Sequence, residues 1–102
     1  MKYFLFLIFL TITLSSNAQT VEGFITSDNG EAIEGVNISI VNKNKGTISD
    51  SKGFYSIKIS ANQNQEAIFS FIGYRSKKIK LPMLKNGQNY ELNVTLNVIG
   101  VS

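Results

Sequence analysis

The chain has 102 residues, a formal net charge of +3, and no cysteine, histidine or tryptophan. That length holds one small domain at most and excludes two-domain enzymes, TIM barrels and most cofactor-binding α/β folds. No disulfide framework or thiolate metal site can form, and no imidazole can serve as a base or a zinc ligand.

The N-terminus reads as an export signal. Lys2 supplies the positive start, and Tyr3 to Leu14 is a run of apolar residues and threonine. Ser16 and Ala18 sit at the −3 and −1 positions of a cleavage site, so the predicted cut falls after Ala18 and exposes Gln19. Those twelve residues would rise only about 18 Å as a helix, short of a bilayer core of about 30 Å. No cysteine follows the cut, which excludes a lipoprotein anchor. Removing residues 1–18 leaves 102 − 18 = 84 residues and takes Lys2 away, so nine basic residues remain against seven acidic ones. A balance of +2 with export argues against a nucleic-acid partner, and no membrane span is expected in the mature chain.

The rest of the sequence is punctuated like an all-β domain. Val21 to Ser27 is a first strand with Val21, Gly23 and Ile25 on one face, and Asp28-Asn29-Gly30 is a turn. Gly35 opens a second strand in which Val36, Ile38 and Ile40 alternate with Asn37 and Ser39. Gly46 to Ser49 is a short strand after the polar loop Asn42 to Lys45. Asp50-Ser51-Lys52-Gly53 fits a type I turn, followed by a strand with Tyr55, Ile57 and Ile59 on one face.

After the loop Ala61 to Glu66, Ala67 to Ile72 is apolar on both faces and is predicted to be a central strand covered on both sides. Gly73 breaks it. Tyr74 to Leu81 is a lysine-rich strand, and Pro82 to Asn89 is the longest loop. Tyr90 to Val98 alternates throughout, with Tyr90, Leu92, Val94, Leu96 and Val98 pointing one way. About seven short strands at this spacing predict a β-sandwich.

Four segments together resemble a known family. They are Val21-x-Gly23-x-Ile25, then Gly30-x-x-Ile33-x-Gly35-Val36-x-Ile38, then Gly46-Thr47-x-Ser49-Asp50-x-x-Gly53-x-Tyr55-x-Ile57, followed by Phe69-Ser70-Phe71-Ile72-Gly73-Tyr74. The pattern is similar to the carboxypeptidase-regulatory-like domain, seen at the mature N-terminus of many TonB-dependent outer-membrane transporters and of other exported bacterial proteins. The resemblance covers about residues 21 to 98. It implies a seven-stranded, Greek-key, transthyretin-like sandwich that is an accessory fold without peptidase residues. The domain is accordingly expected over 19–98, with 99–102 as a short tail. In the transporters a plug and a barrel follow, whereas this sequence stops at Ser102.

The motif residues have structural explanations. Gly23, Gly35, Gly46, Gly53 and Gly73 fall at strand starts, ends or bends, and Asp28 and Asp50 can cap turns. Tyr55 belongs to an inward face. Tyr74 is expected to pack its ring, with its hydroxyl bonded to a neighbouring strand. Catalytic readings fail. Ser49-Asp50-Ser51-Lys52 matches S-x-x-K, but on a turn ending in Gly53 rather than opening a buried helix, and no K-T-G follows. The carboxylates Glu22, Asp28, Glu31, Glu34, Asp50, Glu66 and Glu91 all fall in loops or at outward positions, with no D-x-D-x-D spacing for calcium. No cofactor or metal is expected.

Arg75, Lys77, Lys78, Lys80 and Lys85 form a basic stretch. It reads either as an edge strand whose lysines discourage aggregation or as a contact surface for an acidic partner or an anionic envelope surface. Phe54 and Tyr74 are the aromatic candidates for a small carbohydrate- or peptide-binding site, while Phe24, Phe54 and Phe71 fit a core as easily. The function expected is a non-catalytic exported module that binds another envelope protein. The alternative is a severed N-terminal extension of a TonB-dependent transporter.

Overall fold

The alternation in the sequence sorts side chains into two inward faces, and a computed structural model shows how the chain closes them on each other. It describes residues 19–99, so the predicted signal Met1–Ala18 and the last three residues lie outside the described residues. Among the described residues eight strands form: β1 (Gln19–Ser27), β2 (Asn37–Ile40), β3 (Gly46–Ile48), β4 (Phe54–Ile59), β5 (Gln65–Ser70), β6 (Lys77–Leu81), β7 (Asn89–Glu91) and β8 (Val94–Leu96). One sheet runs β4-β1-β7, with β8 also on β1, and the other runs β3-β2-β5-β6. Among the described residues no helix is long and apolar enough to cross a membrane.

The core lies between the sheets. Val21, Ile25, Tyr55, Ile57, Val94 and Leu96 come from the first sheet, and Ile38, Ile40, Ala67, Phe69 and Leu81 from the second. The expected inward faces of β1, β2 and β4 are all buried. Each buried aliphatic or aromatic side chain contributes about 1.5–3 kcal/mol by leaving water. That burial must hold the fold, since no disulfide can.

The predicted final strand is corrected. Alternation runs unbroken from Tyr90 to Val98, yet two short strands form and the count is eight rather than seven. Both run parallel to β1 in one register, with Thr20 opposite Asn89 and Ile25 opposite Val94. Between them, at Leu92 and Asn93, the Phe24 amide donates to the Asn93 side-chain oxygen at 2.9 Å instead of to a backbone carbonyl. Val98 lies beyond the strand and is 52% exposed.

Two further expectations change. The strand predicted over Ala67 to Ile72 is β5, central in its sheet but covered on one side only. Phe69 is fully buried, Ile68 is half-buried on the outer face, and Ile72 is 86% exposed beyond the strand end. A two-layer sandwich has nothing to lay over its outer faces. The lysine-rich strand starts at Lys77 rather than Tyr74, because Gly73 and Tyr74 make a turn closed by the Tyr74 amide on the Phe71 carbonyl at 3.0 Å.

Candidate interaction surface

The motif residues divide into two groups, and most of their polar atoms are engaged with the chain's own backbone. Ser49 is 3% exposed. Its hydroxyl donates to the Ile33 carbonyl at 2.8 Å and accepts from the Val36 amide at 2.9 Å, tying the loop before β2 to the end of β3. Asp50 caps the following turn: its Oδ1 accepts from the amides of Lys52 at 2.9 Å and Phe54 at 3.0 Å. Gly53 closes that turn on the Asp50 carbonyl at 2.8 Å. Its φ of +78°, with a Cβ position 2.5 Å from the Ile25 carbonyl oxygen, admits only glycine there.

Tyr55 and Gly23 meet at the interruption of the last strand. The Tyr55 hydroxyl donates to the Leu92 carbonyl at 2.6 Å, and its ring meets Phe69 edge-on, with centroids 5.4 Å apart. That carbonyl fits against β1 only because Gly23 has no side chain. The strand-to-strand hydroxyl bond expected of Tyr74 is thus made by Tyr55. Tyr74 instead packs its ring on Phe71 at 5.8 Å and forms a bridge to Val98. Gly35 approaches the Phe71 ring, Gly46 approaches the Ile38 carbonyl, and Gly73 stands in open space. Ile99, in the predicted tail, donates its amide to the Gly73 carbonyl at 3.0 Å.

Burial, with a smaller contribution from Tyr90, pushes the Tyr55 pKa well above the ordinary tyrosine value. The folded state therefore holds this proton more tightly than the unfolded chain does. The stability this represents is fully present below about pH 10 and is lost as pH rises beyond it. Between about pH 10 and 12 the urea midpoint of the native protein should fall more steeply than that of Tyr55→Phe. Equal slopes would contradict a buried, protonated hydroxyl.

The basic residues do not form one patch. β6 is the edge of its sheet, as the edge-strand reading expected. Lys77 reaches across to the first sheet, donating to the Thr95 carbonyl at 2.7 Å. Lys78 and Lys80 are exposed on the outer face, opposite Ile68 and Glu66 of β5. Arg75 is exposed before the strand, its amide donating to the Asn97 carbonyl at 2.8 Å.

Sequence reasoning missed two buried amides. Gln19 donates to the Ile59 carbonyl at 3.0 Å and accepts from the Gly87 amide at 3.1 Å, closing one end of the sandwich. Gln65 pairs with both backbone groups of Ser60. Both are polar residues beside predicted strand ends, so hydropathy alone could not place them inside. Among the described residues no group of three histidine, cysteine, aspartate or glutamate side chains could hold a metal ion.

On the outer face of the first sheet a different cluster appears. Phe24 is 46% exposed and its ring lies 5.3 Å from that of Phe54, a cross-strand pair of β1 and β4. A hollow of about 340 Å³ opens elsewhere between Thr47 and Ser56, and one of about 320 Å³ lies here, bordered by both rings, Glu22 and Glu91.

The comparisons with known proteins agree with this architecture. The wild-type catechol 1,2-dioxygenase of Acinetobacter radioresistens superposes with a TM-score of 0.65 at 12% identity, over 83% of this chain and 53% of that one. A chain of a type II cohesin–X-dockerin complex from Acetivibrio cellulolyticus gives 0.62 at 20% identity, over 78% of this chain and 58% of that one. At such identities the fold alone is shared. The TonB-dependent receptor SusC of Bacteroides thetaiotaomicron is 32% identical over 78% of this chain, a stretch that is 8% of the receptor. A TonB-dependent receptor of Formosa agariphila is 29% identical over 80% of this chain and again 8% of its own length. The model of the CarboxypepD_reg-like domain matches residues 21–99, nearly the whole of the sandwich, and the chain belongs to that family.

Proposed function

We propose that this chain is a non-catalytic module, exported to the cell envelope by a signal cleaved after Ala18, that works by binding another envelope protein. The observation that carries this reading is how the motif side chains are used. Ser49, Asp50 and Tyr55 direct their polar atoms at the chain's own backbone, which builds a scaffold rather than a reaction centre. Relatedness to TonB-dependent receptors supports the envelope as its setting.

The test is expression of the full chain with a C-terminal tag, followed by fractionation, intact mass and crosslinking of the envelope fraction. The expected result is a product beginning at Gln19 and a defined adduct heavier than the monomer. A product that keeps Met1 and stays in the cytosol would sink the reading.

A second reading is an N-terminal extension of a TonB-dependent transporter. It is favoured by the curated relatives, of which this chain spans about a twelfth of the length. DNA downstream of the Ser102 codon that encodes a plug and barrel in a neighbouring frame would select it.

A further inference from the structure

We propose that the outer face around Phe24 and Phe54 is a docking surface for an arginine-bearing segment of the partner polypeptide. This deepens the interaction-module reading and rests on it.

The apolar part comes first. In a two-layer sandwich nothing covers the outer face of a sheet, and a single exposed phenylalanine there would be ordinary. Here two rings touch, at 5.3 Å and an interplanar angle of 60°, and make a platform beside the hollow of about 320 Å³. The platform alone does not name a ligand.

The charges beside it do. Alternation puts Glu22 on the same outer face, and the parallel register sets it directly opposite Glu91. Its neighbour on the other side, across β4, is Ser56. The row is therefore Ser56–Glu22–Glu91, two facing carboxylates with no cation in line. Like charges directly opposed across strands destabilise a sheet. Lys58 stands in the adjacent row, opposite Thr20. Asn93 connects the two features: its side-chain Nδ2 donates a long hydrogen bond to Glu91 Oε2 at 3.4 Å, while its Oδ1 accepts from the Phe24 backbone amide at 2.9 Å. One asparagine thus ties a carboxylate to the backbone that carries an exposed ring.

A planar guanidinium meets both requirements at once. It stacks on aromatic faces and donates in a fork to carboxylates. A bare ammonium is drawn to a ring face but, as a point charge, neither stacks flat on it nor donates in a fork to the carboxylates. A neutral sugar would stack on them but leave the two carboxylates opposed.

The experiment titrates the full, signal-processed protein with the capped peptide acetyl-(Gly-Arg)4-amide, with its citrulline counterpart, and with cellobiose, following backbone amide shifts. Expected are saturable shifts at Glu22, Phe24, Phe54 and Glu91 with the arginine peptide only, weakening as salt is added. Affinity should fall at least about fivefold in Phe24→Ser and in the double variant Glu22→Gln with Glu91→Gln. The double variant should melt about 1–4 °C higher than the native protein, because the repulsion is gone, so its lost binding is not unfolding. Equal binding of the citrulline peptide, unchanged affinity in the double variant, or shifts at these amides with cellobiose alone would each overturn the proposal. Photo-crosslinkers placed at Phe24 and at Lys78 in cells separate the two levels. Adducts from Lys78 without any from Phe24 overturn this surface and leave the module reading standing, whereas the absence of any adduct heavier than the monomer on general chemical crosslinking of the envelope overturns both.

Discussion

Gly23→Val is expected to destabilise the domain by at least about 3 kcal/mol and to abolish cooperative folding if native stability sits at the low end of the usual range. A Cβ at this position would collide with the Leu92 carbonyl oxygen and stand 2.6 Å from its carbon and 2.9 Å from Asn93 Oδ1. Backbone atoms of a paired segment cannot swing aside as the tip of a side chain can. The last two strands would have to lift off β1. That breaks the Leu92 amide bond to the Glu22 carbonyl at 2.9 Å and the Phe24 amide bond to Asn93, and it takes the Leu92 carbonyl from the Tyr55 hydroxyl. Each buried group left without a partner costs about 1–3 kcal/mol. Urea unfolding followed by circular dichroism reads the stability, and hydrogen exchange at Val94 to Leu96 reads the strand. A loss below about 1 kcal/mol would mean that the last strand is not seated on Gly23.

That glycine also marks how far local pattern reaches. The inward faces of β2 and β4 could be read directly, because a side-chain period of two is a property of neighbours in the chain. The edge position of the lysine-rich strand followed from composition in the same way. Gly23 itself was expected at a strand start, end or bend, yet it lies in the middle of a nine-residue strand. Its reason is the approach of Leu92, far along the chain. The same contact interrupts an alternation that runs unbroken from Tyr90 to Val98, so no local signal marks the break.

Polar residues show a second limit. Gln19 and Gln65 are buried because carbonyls and amides from other segments meet their side chains, and hydropathy scores only the amide itself. The acid–aromatic face belongs with these. Glu22 and Glu91 each read as a loop or outward position, but the register that sets Glu91 against Glu22 arises only when the sequence ends of the sandwich come together.

Phe69→Ala should cost about 3–5 kcal/mol, against less than about 1.5 kcal/mol for Ile68→Ala on the same strand. The two residues are adjacent and both apolar, so sequence alone treats them alike. Phe69 is fully buried near the C-terminal end of β5, paired with Ile38 on one side and Lys77 on the other, with the Tyr55 ring edge-on against it. Truncation leaves a cavity between two sheets that are each fixed by their own ladders and cannot close over it. It also removes the ring that orients Tyr55 beneath the Leu92 carbonyl, so the loss should spread to the exchange rates of the last strand. Ile68 points to the outer face and is half-buried, so its truncation leaves a dent that water fills. Denaturant midpoints of the two variants, at unchanged slope, measure the contrast. Equal losses would mean that the outer face of β5 is covered after all, as the run of apolar residues from Ala67 to Ile72 first implied. A loss confined to Phe69 fixes the core between the two sheets and leaves the outer face of the β5 sheet uncovered.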